Sequence, residues 1–74
     1  MAKITLKAAR VNAGYNLVEA ASLLDISKTT LVKWEQYKTF PNAAAIEKIC
    51  HVYGVHYDDI SFLQSSSLKA NNTN

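Results

Sequence analysis

Between Leu17 and Gln36, two helix-forming stretches are separated by only three residues, Asp25-Ile26-Ser27. A helix leaves backbone N–H groups at its start and C=O groups at its end in need of partners. A break this short must therefore serve as a stop and a start at once. Ser27 is a good N-cap for the second stretch. Asp25 stands where the chain has to turn through left-handed backbone, which Asp tolerates better than most residues, though less well than Gly. The first stretch opens on Asn16 with Glu19 three residues later, the pattern of a capping box. Ala20, Ala21 and Leu24 fall on its inward face. Helices joined this tightly pack closely only if a small side chain lies at their crossing, and Ala21 supplies one. Ile26, Leu31 and Trp34 then anchor the second helix to a core.

The flanking sequence is helical too, with no strand signal. Leu6, Ala9 and Ala13 recur at helical spacing, with Thr5 as N-cap and Gly14 just past the end. Pro41 follows Thr39-Phe40 and discourages helix at Phe40. Asn42 caps a fourth helix, in which Ile46, Ile49, Cys50 and Tyr53 recur at i, i+3, i+4 and i+7 and Gly54 marks the stop. A short fifth helix is expected around 57–63, with Asp58 and Asp59 near its positive end. The reading is all-α: a compact five-helix domain over 1–63 and a flexible polar tail over 64–74, QSSSLKANNTN.

Seventy-four residues bound this to one domain with a modest core. Cys50 is the only cysteine, so no internal disulfide forms. The opening MAKITLKAAR lacks the apolar run of a signal peptide, and no stretch is long enough to span a membrane. A cytoplasmic location is expected. Net charge is +2, unevenly spread. Residues 1–40 carry Lys3, Lys7, Arg10, Lys28, Lys33 and Lys38 against Glu19, Asp25 and Glu35, which is +3. Residues 41–74 come to −1. The imbalance favours an anionic partner for the first half.

A helical projection of residues 28–35 turns Thr30, Leu31 and Trp34 inward. Lys28, Thr29, Val32 and Lys33 share the outward arc. Lys donates to guanine O6 and N7, Thr bonds base or phosphate, and Val touches a thymine methyl. A helix needing only solubility would more often mix Glu with Lys and would not expose Val32.

In these elements the chain resembles the Cro/C1-type (lambda-repressor-like, or XRE) helix-turn-helix domain. The best-matched elements are Ala21, Leu24, Ile26-Ser27, Thr30-Leu31, Trp34-Glu35 and the later IEKICHVYGVHYDDI. The resemblance covers roughly residues 4–63. It implies a five-helix lambda-repressor-like fold whose third helix, about 28–36, reads the major groove of double-stranded DNA. The residues it carries over for bases or nearby phosphates are Ser27, Lys28, Thr29 and Lys33, with Val32 beside them. Thr30 belongs to the same candidate set, and Lys38 and Thr39 are placed to touch phosphate. Arg10 with Glu35 fits the family's pairing of a helix-one arginine with a glutamate ending helix three. The resemblance implies that this pair is a strut, with Arg10 also near a phosphate.

Three positions depart from the family pattern. Leu17 stands where a phosphate-binding Gln is frequent, Asp25 where the turn often has Gly, and Tyr37-Lys38 where Gly often follows helix three. Lys7 is open between surface charge and DNA contact. Trp34 and Cys50 read as core. Tyr15, Tyr37, Tyr53 and Tyr57 make no regular stacking platform for single strands. His51 and His56 lack partners at metal-ligand spacing, so no metal or cofactor is expected. Neither a nucleophile–base set nor a Gly-rich phosphate loop is present, so no enzyme activity is expected either. The leading reading is a small phage, prophage or bacterial transcriptional regulator, repressor-like. It would bind a palindromic site as a homodimer, with Tyr57, Phe62 and Leu63 the candidates for the interface, although Phe62 and Leu63 are equally placed to be core. The alternative from another class is a protein-interaction module, such as an antitoxin-like partner with weak or accessory DNA binding.

Overall fold

The computed structural model describes residues 3–62. In chain order these form β1 (Ile4–Thr5), α1 (Leu6–Asn12), α2 (Leu17–Leu24), α3 (Lys28–Glu35), α4 (Ala43–Tyr53), a 3-10 turn (Tyr57–Asp59) and β2 (Ile60–Ser61). Each α-helix starts in the same way. Thr5, Asn16, Ser27 and Asn42 take extended backbone, and each side-chain oxygen accepts the N–H three residues on, from Ala8, Glu19, Thr30 and Ala45. At α2 the bond is reciprocated: the Asn16 N–H donates to Glu19 Oε1 at 2.9 Å, completing the capping box.

The four helices also stop in the same way. The residue after each last turn is left-handed: Gly14 (φ +88°), Asp25 (φ +59°), Tyr37 (φ +62°) and Gly54 (φ +68°). One residue further on, the N–H of Tyr15, Ile26, Lys38 and Val55 reaches back to the carbonyl of Arg10, Ala21, Lys33 and Cys50. This is the Schellman bond, which satisfies a carbonyl the helix would otherwise leave open. Two of the four stops therefore lack glycine. For an ordinary L-residue the left-handed conformation costs about 1–2 kcal/mol, and Asp, with a short polar side chain, less. Asp25 is exposed, so Asp25→Gly is expected to stabilise the domain by about 0.5–1 kcal/mol in a urea melt. A loss of stability would mean that the Asp25 side chain holds the turn.

The core is assembled from the inward positions of the four helices and β2. Leu6 and Ala9 come from α1, Ala20, Ala21 and Leu24 from α2, and Leu31 and Trp34 from α3. Ile49 and Tyr53 come from α4 and Ile60 from β2. Leu6, Ala20, Leu31, Ile49 and Ile60 are at most 1% exposed. Fully burying one aliphatic side chain of this kind stabilises by about 1.5–3 kcal/mol. Ala20 and Ala21 sit where α2 packs on α3 and α4, and their lack of bulk permits that approach.

Two expectations fail at the C-terminal end. The fifth helix is absent over the described residues. A single 3-10 turn occupies Tyr57–Asp59, and Ile60 (φ −117°, ψ 137°) has already gone over to strand. Nor is the domain all-α. β1 and β2 pair in parallel, with Ile4 opposite Ile60 and Thr5 opposite Ser61. The physical reason is the burial of Ile60. A β-branched residue at 1% exposure gains from extended backbone beside Ile4, and a two-residue strand carries no alternation for sequence reading to detect. Leu63 and the proposed tail over 64–74 lie outside the described residues.

Candidate nucleic-acid interface

α3 is fixed from behind and open in front. Behind it, Leu31 and Trp34 enter the core at 0% and 9% exposure. At its end, Glu35 meets Arg10 of α1. Arg10 Nε donates to Glu35 Oε2 at 2.7 Å and Nη2 donates to Oε1 at 3.2 Å, a bidentate contact. The remaining nitrogen, Nη1, donates to the Tyr15 carbonyl at 2.9 Å. Both side chains are only 8% exposed. The Glu35 carboxylate holds the Arg10 guanidinium even more firmly protonated than usual, against the opposing effect of burial. The pair ties the α1–α2 connection to the end of α3. It also occupies all three Arg10 nitrogens, so Arg10 is buried with its donors taken, although it lines a cleft together with the candidate Val32.

In front, Ser27, Lys28, Thr29 and Lys33 are exposed, as is Lys38 just beyond the helix. Among the described residues, none of the three lysines has a carboxylate within ion-pair distance. Because Glu35 is neutralised by Arg10, this face carries uncompensated positive charge. Thr30 and Val32 are half-buried at its margins. The Thr30 hydroxyl lies 2.9 Å from that of Ser27, and the Ser27 oxygen also accepts the Thr30 N–H at 3.1 Å. One hydroxyl proton is used between the two side chains, which leaves the other for an outside acceptor. The cap of α3 is thus also a preorganised donor.

The start of α2 is as its sequence suggests, with the capping box formed. Its first residue, Leu17, has no donor, and the Glu19 carboxylate sits on the Asn16 N–H. A phosphate brought there would meet a negative charge. Beside it lies a cleft of about 340 Å³ lined by Lys7, Arg10, Leu17, Val32, Glu35 and Gln36. Sequence reasoning did not join Lys7 to Gln36. The available signal was the spacing of Lys7 and Arg10, which places both on one flank of α1.

Tyr37 takes the left-handed position that glycine occupies in the related pattern. Its half-buried ring directs the hydroxyl toward the Ser61 carbonyl, a long contact at 3.5 Å. Tyr53 packs against Tyr15 with ring centroids 6.2 Å apart. Burial first, and the nearby Glu35 charge second, push the Tyr53 phenol up to about 12, so it stays neutral beside the ion pair at ordinary pH. Burial likewise raises the Cys50 thiol, which disfavours the reactive thiolate. Among the described residues, no group of three or more His, Cys, Asp or Glu side chains is placed to hold a metal ion. No described helix is long and apolar enough to cross a membrane.

A family model described as helix-turn-helix matches residues 6–60. The match runs from the first residue of α1 to the first residue of β2. Neither a curated protein nor a solved structure matches the chain.

Proposed function

Because the chain belongs to the Cro/C1-type, or XRE, helix-turn-helix family of DNA-binding regulators, we propose that it is a sequence-specific transcriptional regulator of phage, prophage or bacterial type. It acts in the cytoplasm and lays α3 in the major groove of double-stranded DNA. The observation that carries this reading is the exposed face of α3. Lys28, Thr29 and Lys33 stand together there, unpaired by carboxylates, on a helix fixed from behind by Leu31, Trp34 and the Arg10–Glu35 pair. Lysines on that face donate to guanine edges, and Thr29 bonds base or phosphate. Ser27, Lys38 and Thr39 hold the backbone, which sets register without reading sequence. Thr30 acts through Ser27, and Val32 offers an apolar edge to a thymine methyl.

A single domain of this size makes few contacts, so useful specificity calls for two copies on a palindrome. Their half-sites would lie about one helical turn, roughly 34 Å, apart. Tyr57 and Phe62 are the proposed contact between copies. Their rings stack at 5.7 Å, and Tyr57 is 57% exposed.

Selection of bound sequences from random duplex DNA tests the reading directly. The expected result is an enriched site with two symmetric halves at that spacing. Enrichment of a single half would leave α3 as the reader and remove the dimer. No enrichment, and no binding at low salt, would overturn the DNA reading in favour of a protein-interaction module.

A further inference from the structure

We propose that Lys7 is the phosphate-anchoring residue of the DNA interface, in place of the first residue of α2. This rests on the reading of α3 as the DNA-facing helix. The cleft beside α3 joins one flank of α1, the first residue of α2 and the end of α3. Two of its charged groups, Arg10 and Glu35, are bonded to each other at 2.7 Å and cancel. The third is Lys7, which is exposed. The cleft is therefore cationic through Lys7 alone. On the α2 side, Leu17 cannot donate from its side chain, and the Glu19 carboxylate held in the capping box repels an anion. A DNA strand running past Val32 and Gln36 thus finds its cation on α1 and none at the start of α2. A lysine suits this role because a compact charge on a flexible stem follows a phosphate without demanding one geometry. Such a contact fixes position and carries no sequence information.

The test uses the whole chain and the duplex enriched by selection, with Lys7→Ala, Lys28→Ala and the double variant Lys7→Ala with Leu17→Gln. Binding is measured from roughly 50 to 200 mM salt. Lys7→Ala is expected to weaken matched and mismatched duplexes by the same factor, about five- to tenfold at low salt. It should also make the plot of log K against log salt shallower by about one. Thermal melts should coincide with wild type, since Lys7 is exposed. Adding Leu17→Gln is expected to return part of the lost affinity by adding a donor to the cleft, and because Leu17 packs against the core its melt is read beside its binding. If the double variant binds no better than Lys7→Ala, the idea that one anchor replaces the other is overturned. Unchanged affinity and slope in Lys7→Ala, with a loss in Lys28→Ala, would remove Lys7 from the interface and leave the α3 reading standing. A Lys7→Ala loss confined to one base position would make Lys7 a base reader and overturn the anchor. A wild-type chain that binds no duplex would overturn both.

Discussion

Arg10→Ala is expected to cost about 3–5 kcal/mol of folding stability, read from a urea or thermal melt followed by circular dichroism. The cost comes less from the lost attraction than from what stays behind. The Glu35 carboxylate, 8% exposed, would keep its charge without a partner, and the Tyr15 carbonyl would lose its donor. The aliphatic stem of Arg10, from a residue only 7% exposed, would also leave a gap in the packing. A domain of this length has a net stability of roughly 4–11 kcal/mol. A large share of that margin is at stake, and the melting temperature should fall by more than about 12 °C. Replacing both partners, as Arg10→Met with Glu35→Leu, should recover most of the loss, because no buried charge then remains. A single-variant loss below about 1 kcal/mol would place the pair with ordinary surface ion pairs and refute its role as a buried strut.

The second large effect concerns binding. Lys28→Ala and Lys33→Ala are each expected to weaken the selected duplex by about 1–3 kcal/mol, or roughly 5- to 150-fold. The two losses separate by kind. A lysine that reads a guanine loses discrimination at that position, whereas one that meets phosphate weakens all sequences equally and makes the salt dependence shallower by about one. Both residues are exposed and outside the core, so folding is expected to be unchanged. The double variant should lose at least about 25-fold, the product of the two single losses at their smallest, if the contacts are independent. Unchanged affinity in both single variants would move the reading surface off α3.

The parts of the fold legible in the sequence were those announced by a single residue type or by helical period. Thr5, Asn16, Ser27 and Asn42 have side chains that favour the N-cap, and each is found there. Gly14 and Gly54 mark two helix stops by the conformation they permit. Ala20, Ala21, Leu24, Leu31, Trp34, Ile49 and Tyr53 followed from helical period alone, and all are buried. Ile46 and Cys50 shared that period yet stay half-buried, because the face they occupy opens onto a groove of about 550 Å³ near Tyr57. Tyr37 carried no local signal for left-handed backbone; the bonds from its own N–H and that of Lys38 to Trp34 and Lys33 hold it there. The strand pair was invisible because its stabilisation comes from residues 56 positions apart, Ile4 and Ile60, and neither strand is long enough to declare a period. Of the candidate site, the exposure of Lys28, Thr29 and Lys33 was legible because period fixes direction, whereas Val32, read as exposed on the same arc, and Thr30, read as inward, are both half-buried. The cleft with Lys7 was not legible, because it needs three helices set at their true angles.

The parallel pairing of β1 with β2 makes the domain almost a closed ring. The chain enters ahead of Ile4 and leaves past Ser61 on neighbouring strands that run the same way, so entry and exit lie at opposite ends of a two-residue ladder. Pairing waits until residue 60 is present, and a nascent chain halted in α4 would have its helices but no clasp. A linker closing the ring would have to run back against the direction of both strands, as no tight hairpin does, and the exposed Thr39-Phe40 connection offers a place to cut the ring open again. The order of the helices around that ring, rather than the point at which it is opened, sets how α3 is presented.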